Sequence, residues 1–278
     1  SAETAIWLDG MPAWSLPLPD RGLDFGDGLF ETLLLHGGEA LHLPLHLERL
    51  ERGLRALAFP DCLTTASAQL GEILQSPALR EMAWAALRLT VSRGGGPRGY
   101  APPAQALPRI VIAVTPLQRS CAELASPSSL GVASMRWGSQ PALAGIKHLN
   151  RLEQVLAARE AAQSGADDMV MLDQAGKVVS TTAGNLYMFA QGKIHTPRIG
   201  DCGIAGTRRK MLLEQWAPAL GLEVVKRDLD PAELVSAEEL FYSNSLWGLR
   251  PVGELGARLF QHHPVCNALF TQYLAGLE

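Results

Sequence analysis

An excess of charge of either sign is missing from this 278-residue chain. Its 24 Lys and Arg stand against 28 Asp and Glu, a formal net charge of −4. A surface built for nucleic acid or an anionic membrane carries a marked basic surplus, so neither partner is expected. Cysteine is also scarce. Cys62, Cys121, Cys202 and Cys266 are scattered, without a Cys-x-x-Cys pair or a metal-binding Cys/His spacing. They read as reduced structural thiols of a cytoplasmic protein, and no metal site is expected. No uninterrupted apolar stretch reaches transmembrane length. The start, Ser1-Ala2-Glu3-Thr4, lacks the basic region and apolar run of a secretory signal.

Apolar residues are plentiful, at 47 % of the chain. That suffices for a sizeable core, and the length favours two domains. Strand and helix signals mix along the chain, so the class is α/β (α+β). Ala5–Leu8 and Leu29–Leu35 read as strands, the second turning at His36-Gly37-Gly38-Glu39. Leu47, Leu50, Leu54 and Leu57 recur at helical spacing, and a second helix is expected over Thr65–Leu74. Ala85-Leu87-Leu89-Val91 alternates as a strand, and Arg109–Val114 is another. Pro116 to Ser129 holds two prolines and four serines without periodicity. We therefore expect an N-terminal domain over 1–117, a linker over 118–128 and a C-terminal domain over 129–278. In the last, Met169–Leu172, Lys177–Val179, Leu186–Phe189 and Glu239–Tyr242 read as strands, and Gly206–Leu220 as a helix.

The most informative segment is Gly145-Ile146-Lys147-His148-Leu149-Asn150-Arg151-Leu152-Glu153-Gln154-Val155-Leu156. Leu149, Leu152, Val155 and Leu156 predict one apolar helical face, with Lys147 in or just before the first turn. The positive end of a helix disfavours a charged amine, and a neutral amine attacks carbonyls, which suits a Schiff-base lysine. Spacing alone leaves open a solvated lysine at a helix end. A second feature is Gly203-Ile204-Ala205-Gly206-Thr207-Arg208, a glycine-bearing turn opening a helix. Such a turn offers backbone N–H groups to an anion, or is an ordinary turn. Gly94-Gly95-Gly96-Pro97-Arg98 invites a nucleotide-loop reading, but it is neither Gly-x-Gly-x-x-Gly nor a Walker motif.

Taken together, the motifs resemble a known family. Besides the lysine segment they are Arg21-Gly22-Leu23-Asp24-Phe25-Gly26-Asp27-Gly28-Leu29-Phe30-Glu31-Thr32, His46-Leu47-Glu48-Arg49-Leu50, Arg93–Tyr100, Asn185-Leu186-Tyr187, Thr196-Pro197-Arg198 and Arg250-Pro251-Val252. In this order they resemble the fold-type IV pyridoxal-phosphate enzymes, which include D-amino-acid and branched-chain aminotransferases. The lysine segment is similar to that of the branch that acts on aminodeoxychorismate. The resemblance implies an N-terminal α/β sandwich domain and a β-barrel-like C-terminal domain. It also implies a pyridoxal 5'-phosphate cofactor, a homodimer and a small-molecule substrate. The activity implied is elimination of pyruvate to give 4-aminobenzoate for folate synthesis. An aminotransferase on the same fold and a non-catalytic cofactor-binding relative are the alternatives.

The resemblance also assigns roles. Lys147 would carry the cofactor. The N–H groups of Thr207 and Arg208, after Gly206, would hold its phosphate, with Arg49 and the Ser245 hydroxyl adding contacts. Asn150 would bond the ring oxygen or cap the helix. Thr32 would protonate the leaving enolpyruvate, or serve only as a strand former. Arg98 and Tyr100 replace the basic pair that grips a substrate carboxylate in the D-amino-acid relatives, with Arg151 or His148 as a second cation. One position departs from the family. Ser180 stands where a glutamate ordinarily pairs with the pyridine nitrogen, so a weaker electron sink is expected.

Overall fold

Alternating apolar residues build the first sheet. The computed structural model describes residues 4–277. Among them β1 (Ala5–Leu8), β2 (Met11–Pro12), β3 (Gly28–His36), β4 (Glu39–Ala40), β5 (Trp84–Ser92) and β6 (Arg109–Pro116) form one antiparallel sheet. Its order is β2-β1-β6-β5-β3-β4. Leu29, Leu33, Leu35, Leu87, Leu89 and Val91 are buried on one face of it. The helix Leu43–Ala56 packs on that face. Pro44 is pre-set for its first turn, and Arg55 lies in its last turn, where a cation is favoured. Gly53 brings the helix close: a Cβ there would lie 2.8 Å from a Leu29 methyl. Any larger residue would overpack this contact, at about 1–3 kcal/mol.

The second sheet is mixed. It comprises β7 (Ser128–Trp137), β8 (Asp168–Asp173), β9 (Val178–Thr181), β10 (Asn185–Ala190), β11 (Lys193–Pro197), β12 (Glu223–Arg227), β13 (Glu239–Asn244), β14 (Gly248–Leu255) and β15 (Arg258–Leu259). The order is β12-β11-β10-β13-β14-β7-β8-β9, with β15 beside β14. The pairs β11–β12, β14–β7 and β7–β8 are parallel. Leu130, Val170, Leu186, Leu240, Val252 and Phe260 share its core.

The chain divides into two compact units. One is everything described up to Ser120 together with Ile146–Asn150; the other is Cys121–Gly145 with the described residues from Arg151 onward. The lysine segment thus belongs with the first sheet, and its secondary structure corrects the sequence reading. The helix begins only at Leu152 and runs to Ser164, so Lys147 is not in its first turn and the helix-end field argued for it does not apply. Instead Lys147 C=O accepts from Phe30 N–H at 2.9 Å, and Leu149 N–H donates to Gly28 C=O at 3.0 Å. The segment is a short strap on β3. The predicted apolar face is also overturned. Leu152 and Val155 are 70 % and 59 % exposed, whereas Gln154, Ala157 and Ala161 are buried. Ala157 and Ala161 pack with Ala133, Met169 and Met171, where small residues allow close approach to the sheet. Among the described residues no helix is long and apolar enough to cross a membrane. No group of three or more His, Cys, Asp or Glu there could hold a metal ion.

Candidate active site

Side chains alternate along a strand. Leu29 and Glu31 of β3 face the Leu43–Ala56 helix, so Phe30 and Thr32 face away from it. The strap delivers Lys147 to that second face: its Nζ lies 4.6 Å from the centroid of the Phe30 ring. Thr32 is half-buried, and among the described residues its hydroxyl makes no hydrogen bond. Directly opposite Thr32 on β5 is Arg88, a residue the sequence reading passed over. The Arg88 guanidinium stacks on the same Phe30 ring at 3.8 Å, and it has no ion pair among the described residues. One sheet face thus carries an amine and an uncompensated cation on one aromatic ring, with the Thr32 hydroxyl at the strand position opposite the cation. The alternation over Ala85–Val91 already put Arg88 on the face opposite the buried residues, but nothing local shows that it lacks a carboxylate partner.

The rest of the strap is tied down. Asn150 Nδ2 donates to Gly26 C=O at 3.1 Å. A Cβ on Gly26 would fall 2.4 Å from Asn150 Oδ1, and its φ of +65° is one that glycine adopts freely. Asn150 does not cap the following helix, whose N-cap is Arg151. His148 Nδ1 accepts from Asn150 N–H at 3.3 Å.

Arg49 and Glu31 form a buried, bidentate ion pair. Arg49 Nε donates to Oε1 at 2.8 Å and Nη2 to Oε2 at 2.5 Å, while His46 Nδ1 lies 2.7 Å from Oε2. Burial would raise the Glu31 carboxyl, but Arg49 and then His46 outweigh it and bring it down to about 2. Glu31 cancels much of the charge that Arg49 would bring to a phosphate.

Arg98 and Tyr100 sit on the exposed loop after β5, with Tyr100 85 % exposed. The Tyr100 ring lies 5.4 Å from that of Phe25. The glycines before it follow from steric need rather than from nucleotide binding. Gly94 has φ +81°, and a Cβ there would lie 2.1 Å from the Leu107 carbonyl oxygen.

The second unit holds the glycine-bearing turn expected to meet an anion. The helix Thr207–Met211 starts after Gly206, and no side chain caps it. It continues through a π-helical turn at Leu212–Trp216 to Ala217–Ala219. Asn185 shapes its approach: Nδ2 donates to Ile204 C=O at 2.9 Å and Oδ1 accepts from Gly206 N–H at 3.1 Å. A Cβ on Gly206 would lie 2.1 Å from Asn185 Oδ1. Arg208 is buried, and its Nη2 donates to Ser245 C=O at 3.3 Å. Thr207, Arg208 and Ser245 are thereby brought together, a set that fits a phosphate group.

Ser180 on β9 is buried, and its hydroxyl donates to Thr181 C=O at 2.7 Å. It therefore presents lone pairs and no charge, a poorer fit to a pyridine nitrogen than a carboxylate. Arg151 belongs to this second unit. Its guanidinium lies 5.7 Å from the Trp137 ring, and burial brings its pKa down to about 10 despite Glu153. The structure thus places it against an aromatic side chain of its own unit.

Residues 28–255 match the family described as amino-transferase class IV. The chain is 34 % identical over 257 residues to an aminodeoxychorismate lyase of Vibrio harveyi, covering 91 % of this chain and 92 % of that protein. It matches the crystal structure of 4-amino-4-deoxychorismate lyase from Pseudomonas aeruginosa with a TM-score of 0.87 and 39 % identity, over 96 % and 97 % of the two chains. The PLP-bound form of a hypothetical aminotransferase from Mycobacterium tuberculosis matches with a TM-score of 0.81 over 98 % of each chain. At 22 % identity it speaks to the fold alone. The two sheets and these matches agree with the fold-type IV architecture expected from the sequence.

Proposed function

We propose that this chain, which belongs to the amino-transferase class IV family, is a pyridoxal-phosphate-dependent lyase. It converts 4-amino-4-deoxychorismate to 4-aminobenzoate and pyruvate, a step of folate synthesis. The observation that carries the reading is the β3 face, where the Lys147 amine and the Arg88 guanidinium lie against Phe30 and Thr32 stands opposite Arg88. The names of the Vibrio and Pseudomonas relatives support it.

Thr207, Arg208 and Ser245 would hold the cofactor phosphate, and Ser180 would face its ring nitrogen. When bound, the cofactor supplies an electron sink for the pair left at the amine-bearing carbon of the substrate. Lys147 Nζ takes the proton from that carbon. Arg98 grips one substrate carboxylate bidentately and Tyr100 donates one more bond. Arg88 provides the second cation that a dicarboxylate needs, in place of Arg151 or His148. The Thr32 hydroxyl delivers a proton to the departing enolpyruvate, and aromatisation of the remaining ring drives the cleavage. A homodimer in the cytoplasm belongs to the same reading; a mass measurement finding only monomer under active conditions removes the dimer.

The test is 4-aminobenzoate fluorescence after mixing the protein with aminodeoxychorismate and pyridoxal phosphate, beside a Lys147→Ala control. Product from the wild type alone is expected. No product from a cofactor-loaded wild type overturns the lyase. An aminotransferase is then the next reading, and a relative that binds cofactor without eliminating pyruvate, which Ser180 favours, the one after it. Conversion to the pyridoxamine form on adding an amino donor would identify an aminotransferase.

A further inference from the structure

We propose that Arg21 is a positioning residue for substrate recognition, because its guanidinium fixes the loop that carries Arg98 and Tyr100. The proposal deepens the reading above and rests on its assignment of that loop to a substrate carboxylate.

Arg21 is only 4 % exposed. A buried guanidinium must have its donors satisfied, and here the partners are specific. Nε donates to Asp27 Oδ2 at 2.9 Å. Nη1 donates to Gly99 C=O at 3.1 Å and to Ala101 C=O at 3.3 Å, and Nη2 to Tyr100 C=O at 2.6 Å. Three successive carbonyls thus converge on one planar fork. Gly99, with φ +99°, supplies a turn that other residues rarely adopt. The exposed Tyr100 ring gains a footing from the same arginine: Arg21 lies 4.9 Å from the Phe25 ring, against which Tyr100 rests.

The clamp is anchored at its far end. Asp27 Oδ2 also accepts from Arg93 Nε at 2.8 Å. The other Arg93 nitrogens donate to Leu57 C=O at 2.6 Å and Ala58 C=O at 3.1 Å, just past the Leu43–Ala56 helix. One carboxylate oxygen therefore joins two arginines, and through them the loop is referred to the end of a packed helix. Burial would raise the Asp27 carboxyl, but the hydrogen bonds and charges of Arg93 and Arg21 hold it below the usual range, in its charged form. Gly96 leaves the passage: a Cβ there would lie 3.1 Å from Arg21 Cδ and 3.3 Å from Pro103. Of the glycine run, it is Gly96 that makes room for the arginine.

Two variants of the full-chain enzyme test this. Arg21→Lys keeps a charge beside Asp27 but loses the fork. Gly96→Ala keeps the arginine and crowds its Cδ, so it carries the test even if Arg21→Lys does not fold. Both should raise KM for aminodeoxychorismate about tenfold with kcat held within about twofold. Both should leave cofactor affinity in place and speed tryptic cleavage after Arg98, and Gly96→Ala should hold melting temperature as well. Arg98→Gln is measured beside them. If Arg98→Gln raises KM and neither variant does, the positioning role is overturned and the loop assignment stands. If Arg98→Gln leaves KM unmoved, the loop assignment fails and the proposal falls with it. A joint loss of kcat and melting temperature with unchanged KM marks Arg21 as structural only, which also overturns the proposal.

Discussion

Arg88 and Thr32 stand directly opposite each other on neighbouring strands, and the guanidinium rests on the Phe30 ring two residues along β3. A cation so placed without a carboxylate partner suits an incoming carboxylate. Loss of a charge-assisted bond costs about 1.5–3 kcal/mol. Arg88→Gln should therefore lower kcat/KM by about ten- to a hundredfold. An unchanged value, from steady-state 4-aminobenzoate fluorescence, removes Arg88 from substrate binding.

Thr32→Val keeps the branched shape that β3 favours and deletes only a hydroxyl with no hydrogen bond among the described residues. Melting temperature should hold. If the hydroxyl acts as the acid, kcat should fall by about a hundredfold or more. A fall of less than about twofold would hand the acid role to Lys147.

The Glu31 ion pair has a pH signature. Its folded pKa is about 2, against an ordinary 4.5. A depressed pKa means that the stabilisation is complete above the unfolded value and disappears as pH falls towards the folded one. Melting temperature should therefore decline across that window. Glu31→Gln leaves Arg49 buried without its countercharge and should cost about 3–5 kcal/mol near neutrality, with a flatter acid limb. A wild-type profile that is level between these pH values contradicts the assignment.

Gly206→Ala places a methyl against Asn185 Oδ1. The turn must shift, and the N–H groups of Thr207 and Arg208 with it. Pyridoxal-phosphate affinity, read by fluorescence titration, should weaken about tenfold or more, the scale of one lost charge-assisted contact. Equal affinity would move the phosphate elsewhere.

Ser180→Glu should restore a charge at the expected position of the ring nitrogen and shift the absorption band of the bound cofactor. An identical spectrum and an identical rate would show that Ser180 does not face that nitrogen.

Much of the fold was legible in local patterns. The alternation over Ala85–Val91 and the leucine period of the Leu43–Ala56 helix correspond to observed elements. The lysine segment was misread for a physical reason. Leu149 fits a helical period, yet it packs against Gly22 and Gly28 while its backbone is taken by β3. A short window cannot register a hydrogen bond to a strand so distant in sequence. Strand β14 was hidden because Gly248, Pro251 and Gly253 interrupt it. Among candidate site residues, Thr207 and Lys147 stand out through their motifs. Arg88, and the Arg21 clamp, depend on which carbonyls and carboxylates come close, and only the folded chain decides that.

The strap has a consequence for how this chain can be made. Its donors and acceptors complete the ladder of β3, yet they come after β7, a strand of the second sheet. A fragment ending at the linker would leave Phe30 N–H and Gly28 C=O without those mates. The first unit cannot reach its final bonding until translation has passed Asn150. Cutting the gene at the linker would sever a fold rather than separate two modules.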